Sequence, residues 1–343
     1  MLIYLRRKEG RPVIEAKSKY YYSRLAKAEK NAYDSLLSGW AARNRTPSFI
    51  SNPLSEKIDI QKIVNFIRLD NPGLFYVDFS KISYLIMAVM VTIKSEFLYN
   101  DKQITETENK LRQIIAKISS RLTPQMSHYE KELALHDCLA SNISYDDSGV
   151  NNTSGSVVGA LVMKRAVCEG YAKAFKMLCD QNGLPSIVVT GTAKAHDKPY
   201  EELHAWNIVR LNKECYHVDV TWDSTIRTGT ERRDDYFNLT DNDIGKNHIW
   251  DRTLLPACTS LANNWFVKNG NIVKDDTEFK NHIITQVKRG NKSFSVKLGR
   301  TYKNQEEVMG VIESALRRTM FFGGFSIRLG YNDVQNVATV TIS

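Results

Sequence analysis

The chain has 343 residues, of which 42% are hydrophobic, 10% aromatic and 25% charged, which excludes disordered, collagen-like and simple-repeat classes. The length suits two or three units with at least one sizeable core. A formal charge of +9 is concentrated at the start, where residues 1–50 hold eleven Lys/Arg against four Asp/Glu. This basic head reads as a solvated helix; binding of nucleic acid or anionic lipid is the competing reading. Neither a zinc finger nor an RNP motif accompanies it, so no nucleic-acid partner is expected.

Along the chain, Tyr20 to Trp40 reads as a helix with Leu25, Tyr33, Leu36 and Leu37 roughly on one side. Ile58–Ile67 is a second helix, ended by the turn Asn71-Pro72-Gly73. LFYVDF and the run Ile82 to Ile93 (ISYLIMAVMVTI) read as strands, with a buried helix as the alternative for the latter. That run is the longest apolar one and is too short to cross a bilayer, so no transmembrane segment is expected. Ile104–Leu122 and Ser127–Ile143 read as helices, and Asp146–Ser156 as a loop. A helix over Cys168–Gln181 stops at Gly183-Leu184-Pro185, followed by the strands IVVTG, HAWNIVRL and ECYHVDVTW. Residues 224–258 read as loop-rich. The tail from about 275 reads as helix, strand, helix, strand, strand.

The start MLIYLRRKEG contains no apolar stretch of signal-peptide length. The expected location is cytoplasmic as the chain stands, or exported or cell-surface if a signal segment has been removed. Five cysteines without CxxC spacing argue against a disulfide framework or a zinc ribbon. No Walker or GxGxxG motif is present, so neither a cofactor nor a metal is expected.

The chemistry concentrates between Ala166 and Asp223. Cys168 falls in the first turn of a helix whose Tyr171, Ala174, Phe175 and Leu178 recur at helical spacing. The helix dipole and nearby backbone N–H groups there favour a thiolate. Asn212-Lys213 suits a two-residue hairpin loop between two alternating strands. With Leu211 facing Glu214, His204 and Asp219 become diagonal neighbours on one sheet face. A nucleophile, a histidine and a carboxylate then carry distinct roles: Cys168 attacks an acyl carbon, His204 moves protons, and Asp219 fixes the imidazole. His217 falls on the face of Asp219 and is a second contact or a decoy. Cys179 and His136-Asp137-Cys138 read as helix packing, and Trp206 and Trp222 as walls.

The motifs Cys-Glu-Gly-Tyr-Ala, His-Ala-Trp-Asn and Val-Asp-Val-Thr-Trp-Asp, in that order, resemble the transglutaminase-like superfamily in its bacterial branch, related to papain-type cysteine proteases. The resemblance covers about residues 123–258 and maps Cys168, His204 and Asp219 onto the family's triad. It implies an α+β class with a papain-like/transglutaminase-like core, a Cys-bearing helix packed on an antiparallel sheet. It implies acyl transfer from an amide of a protein or peptide substrate: hydrolysis, favoured here, or deamidation or transamidation of glutamine. The expected organisation is a basic helical arm (1–50), an N-terminal α/β region (51–122), the core (123–258) and a small C-terminal α/β unit (259–343). Glu169 stands where the animal crosslinking enzymes carry tryptophan, and no acidic calcium cluster is visible. The glutamine that papain-type enzymes place before the cysteine has no counterpart between Tyr145 and Cys168, which leaves the Cys168 backbone N–H as the oxyanion donor. The alternative function is a non-catalytic binding or scaffold module that keeps the fold.

Overall fold

The computed structural model describes residues 4–6, 12–51, 58–148, 153–195, 199–227, 231–317 and 326–343. Residues 7–11 of the basic head and 149–152 of the expected Asp146–Ser156 loop lie outside them. The class is the expected α+β. Two compact units are present, one of residues 1–189 with 205–212, the other of 190–204 with 213–343. No helix among the described residues is long and apolar enough to cross a membrane.

In the first unit the single expected helix over Tyr20–Trp40 divides into Tyr20–Ser23 and Lys27–Ala41. Each of the two helices has its own N-terminal partner for free N–H groups. Glu29 reaches back to accept the Ala26 N–H, while the Asp70 carboxylate accepts the Tyr21 and Tyr22 N–H groups at 3.2 and 2.9 Å. Arg24 and Lys27 of this basic stretch are exposed. Asp59 caps the helix Ile60–Asp70, and the boxes Asn100/Gln103 and Ser127/Glu130 open the helices Asp101–Ser119 and His128–Asn142.

The Ile82–Ile93 run is neither one strand nor a buried helix. It folds back on itself as the strands Val77–Met87 and Met90–Phe97, with Ser48–Ile50 paired to the second. The reversal places Ala88 at φ 52°, a left-handed conformation that a non-glycine residue rarely adopts. Without Gly, Asn or Asp at that point, nothing in the sequence marks the turn.

The Cys168–Gln181 helix has the expected bounds, and its residues from Gly170 to Asp180 are buried. It packs on strands through specific polar bonds as well as apolar faces. Asn207 of the HAWN motif donates to the carbonyls of Ala172 (3.0 Å) and Ile187 (3.2 Å). Buried Lys176 pairs with Asp180 at 3.0 Å and donates to the carbonyl oxygens of Ser18 and Ser186. Tyr171 donates its hydroxyl to the Ile143 carbonyl at 2.7 Å. A Cβ on Gly170 would press into the Ser154 carbonyl oxygen and lie 2.9 Å from the Ala166 Cβ, so the glycine of the Cys-Glu-Gly motif is a close-approach residue. Gly183 closes the helix at φ 81°.

The strands Ser186–Ala193, Glu202–Leu211, Glu214–Val218, Phe237–Leu239 and His248–Trp250 form a five-stranded sheet. Its order from one edge is Phe237–Leu239, Glu214–Val218, Glu202–Leu211, Ser186–Ala193, His248–Trp250. Asn212 and Lys213 make the two-residue connection, with Asn212 at φ 57°. In the second unit the C-terminal order of elements is the expected one. The helices Asp276–Lys288 and Gln305–Leu316 and the strands Ser293–Leu298, Ile327–Asn332 and Val337–Ile342 share a core that includes Phe279, Ile283, Val296, Ile312 and Val340.

Candidate active site

Asp219 is built into the chain differently from the sequence expectation. The strand that begins at Glu214 ends at Val218, and residues Val220–Thr225 form a short helix with Asp219 as its N-cap. The run Val-Asp-Val-Thr-Trp has β-branched residues enough for a strand, yet the aspartate ends it by offering the backbone a better partner. Its Oδ1 accepts the N–H groups of Thr221 (3.0 Å) and Trp222 (3.1 Å). That fixes the carboxylate plane and leaves Oδ2 for other work.

Oδ2 meets two imidazoles. His204 Nε2 lies 2.7 Å from it and His248 Nε2 lies 3.2 Å from it. Asp219 and His248 are buried, and His204 is nearly so. Burial pushes the Asp219 carboxyl up, but the charges and hydrogen bonds of His204 and His248 outweigh it and hold the carboxyl well below its usual range. Trp222 and Tyr236 complete the enclosure, with the Trp222 ring 5.6 Å from His204 and 4.5 Å from His248.

His248 was not singled out by the sequence, because its segment read as loop. Burial, opposed by its bond to Asp219, takes its pKa from the usual 6.5 to about 4, so it is neutral at pH 7. On the other side of the ring, Nδ1 lies 2.8 Å from Oδ1 of Asn247, whose Nδ2 donates to the Tyr236 hydroxyl at 3.0 Å. The lowered pKa has a consequence for stability. An unfolded chain protonates this histidine below about pH 6.5 while the folded chain resists to about pH 4, so folding loses up to about 3 kcal/mol across that window. His248→Gln is expected to flatten the fall of the thermal midpoint between pH 6.5 and pH 4. An equally steep fall in the variant contradicts the assignment.

His217 pairs instead with Asp241, at 2.9 Å, under the ring of Trp250. Cys179 is wholly buried, and burial raises its thiol well above the ordinary value. Side-chain donors of His204, Asp219 and His248, and separately of His217, Asp241 and Cys258, lie within 4.8 Å of one another, so either trio could ligate a metal ion.

In the first unit, Cys168 is the first residue of its helix, and the N-cap Val167 has no side-chain oxygen to offer the first-turn N–H groups. Glu169, directly after it, is held between Arg68 and Lys173, the latter 2.7 Å away. Burial works against its charge, but the two cations bring its carboxyl down to about 2. Glu169 lines a cleft of about 390 Å³ together with Arg68, Lys173, Phe75, Phe79 and Ser156.

A family model described as the transglutaminase-like superfamily matches residues 112–220, a segment that contains Cys168, His204 and Asp219. The relationship is distant, at the level of the superfamily. Among curated proteins none matches. Similar solved structures include a putative cysteine protease from Cytophaga hutchinsonii, 14% identical, with a TM-score of 0.28, covering 41% of this chain and 61% of that one. A protein described as a TGase is 14% identical, with a TM-score of 0.31 and coverage of 58% and 56%. Menin, whose structure is described as revealing the binding site for Mixed Lineage Leukemia (MLL) protein, is 13% identical, with a TM-score of 0.26 and coverage of 67% and 49%. The chain spans about half to three fifths of the length of these proteins. The α+β fold and the transglutaminase-like match point to a cysteine-hydrolase type of superfamily.

Proposed function

We propose that the chain is a cysteine-dependent acyl-transfer enzyme acting on an amide of a protein or peptide, with Cys168 as nucleophile, His204 as proton carrier and Asp219 as its anchor. The observation that carries this reading is the buried 2.7 Å contact of His204 Nε2 with an aspartate whose other oxygen is locked by two backbone N–H groups. An imidazole anchored through Nε2 presents Nδ1 for proton exchange with a thiol.

In the proposed reaction, the Cys168 thiolate adds to the amide carbonyl and the negative charge moves to oxygen. First-turn N–H groups at the start of the Cys168 helix receive that oxyanion. The adduct collapses to a thioester as protonated His204 gives its proton to the departing amine. His204, now neutral, takes a proton from water, whose oxygen adds to the thioester. Collapse releases the acid, and the proton returns to the Cys168–His204 pair. Asp219 stays anionic throughout and His248 keeps it oriented. The cleft beside Glu169 would receive the acyl side of the substrate. Hydrolysis is the favoured outcome, since water needs no second binding site.

Peptide p-nitrophenyl esters test the reading. The expected result is a burst of nitrophenolate approaching one per chain, with the acyl group found on the Cys168 peptide by mass spectrometry. Steady release that persists in Cys168→Ala, with no acyl-peptide, overturns it.

A further inference from the structure

The hairpin of residues 77–97 ends in a surface that the described residues leave exposed. Tyr84, Leu85, Ile86, Met87, Val89 and Met90 are all exposed, and Leu85 and Met87 retain 59% and 66% of their area. Cross-strand register assigns them to faces. Met87, Met90 and Ile50 lie in one row on one face, with Leu85 beside them, and Ile50 is 74% exposed. Tyr84 and Ile86 lie on the other face, the one on which Val91 and Ile93 are buried. An apolar tip with both faces exposed is unusual, because burying one face is what normally stabilises a sheet.

We propose that this hairpin tip docks on the surface of an anionic lipid bilayer, seated in the headgroup and upper acyl region. Immersion covers both faces at once, whereas a flat protein partner covers one. Charge favours an anionic surface: the unit that carries the hairpin holds 27 Lys/Arg against 19 Asp/Glu, which is +8 of the chain's +9. Lys94, paired opposite Ser83, is exposed immediately behind the tip, at the level where an ammonium would meet headgroups. Depth is limited by the backbone. Val77–Met87 is an outer strand of its three-stranded sheet among the described residues, and the N–H and C=O groups on its outer edge must keep water or headgroups as partners.

The test is co-sedimentation of the full chain with phosphatidylcholine vesicles, with and without phosphatidylglycerol. A triple variant, Leu85→Ser, Met87→Ser and Val89→Ser, changes only exposed positions and adds no charge. Binding to the anionic vesicles is expected, with a loss of about tenfold or more in the variant at unchanged thermal midpoint. No binding by the wild type overturns the proposal. Equal binding by the variant also overturns it, assigning the affinity to charge alone. So does a wild-type dimer in light scattering that the serine variant abolishes, since the occupant is then a second copy of the chain.

Discussion

Asp219→Asn is expected to lower the rate of Cys168 acylation on the order of 10³–10⁴-fold at pH 7, in a chain that still folds but melts at a lower temperature. Asparagine keeps an oxygen where Asp219 Oδ1 accepts the Thr221 and Trp222 N–H groups, so the short helix retains its cap. The other position becomes an NH₂ facing His204 and His248, both of which need an acceptor there. His204 would then turn a lone pair on Nε2 toward the amide and carry its proton on Nδ1. In that tautomer it cannot receive the thiol proton, and its cation loses the buried counter-charge. Stopped-flow acylation by a peptide ester, with a thermal melt beside it, reads both halves of the expectation. A loss within tenfold contradicts the anchoring role, and a variant that does not fold makes Asp219 structural instead.

Much of the fold is legible in the sequence for physical reasons. The Cys168 helix was legible to the residue because its apolar spacing is regular and Gly183 supplies the left-handed stop. The association of His204 with Asp219 was legible from an even-length loop and the period of two, although the geometry is not the expected pair of facing strands. Asp219 reaches His204 from a helix N-cap, a role that its β-branched neighbours concealed. His248 was not legible. It lies 29 residues beyond Asp219 on a three-residue strand, and such a short strand leaves too few residues for a period to be seen. The hairpin reversal at Ala88 had no turn residue to announce it, so an exposed apolar tip was read as one continuous run. At the N-terminus, the start of the Tyr20–Ser23 helix is capped by Asp70, a partner distant in sequence that no local pattern contains.

In the proposed reaction Cys168 works as a thiolate sustained by His204, and the rate of its alkylation against pH in wild type and His204→Ala measures this most directly. A thiolate held by an imidazolium reacts at pH 6, whereas an ordinary thiol of pKa about 8.5 is there well under 1% ionised. Replacing His204 is therefore expected to slow labelling at pH 6 by about 10- to 100-fold, the lower figure allowing for the weaker nucleophilicity of a stabilised thiolate. Labelling of the Cys168 peptide, followed by mass spectrometry, should be fast at pH 6 in wild type and should collapse in the variant. Labelling that rises only near pH 8.5, alike in both proteins, would contradict the account.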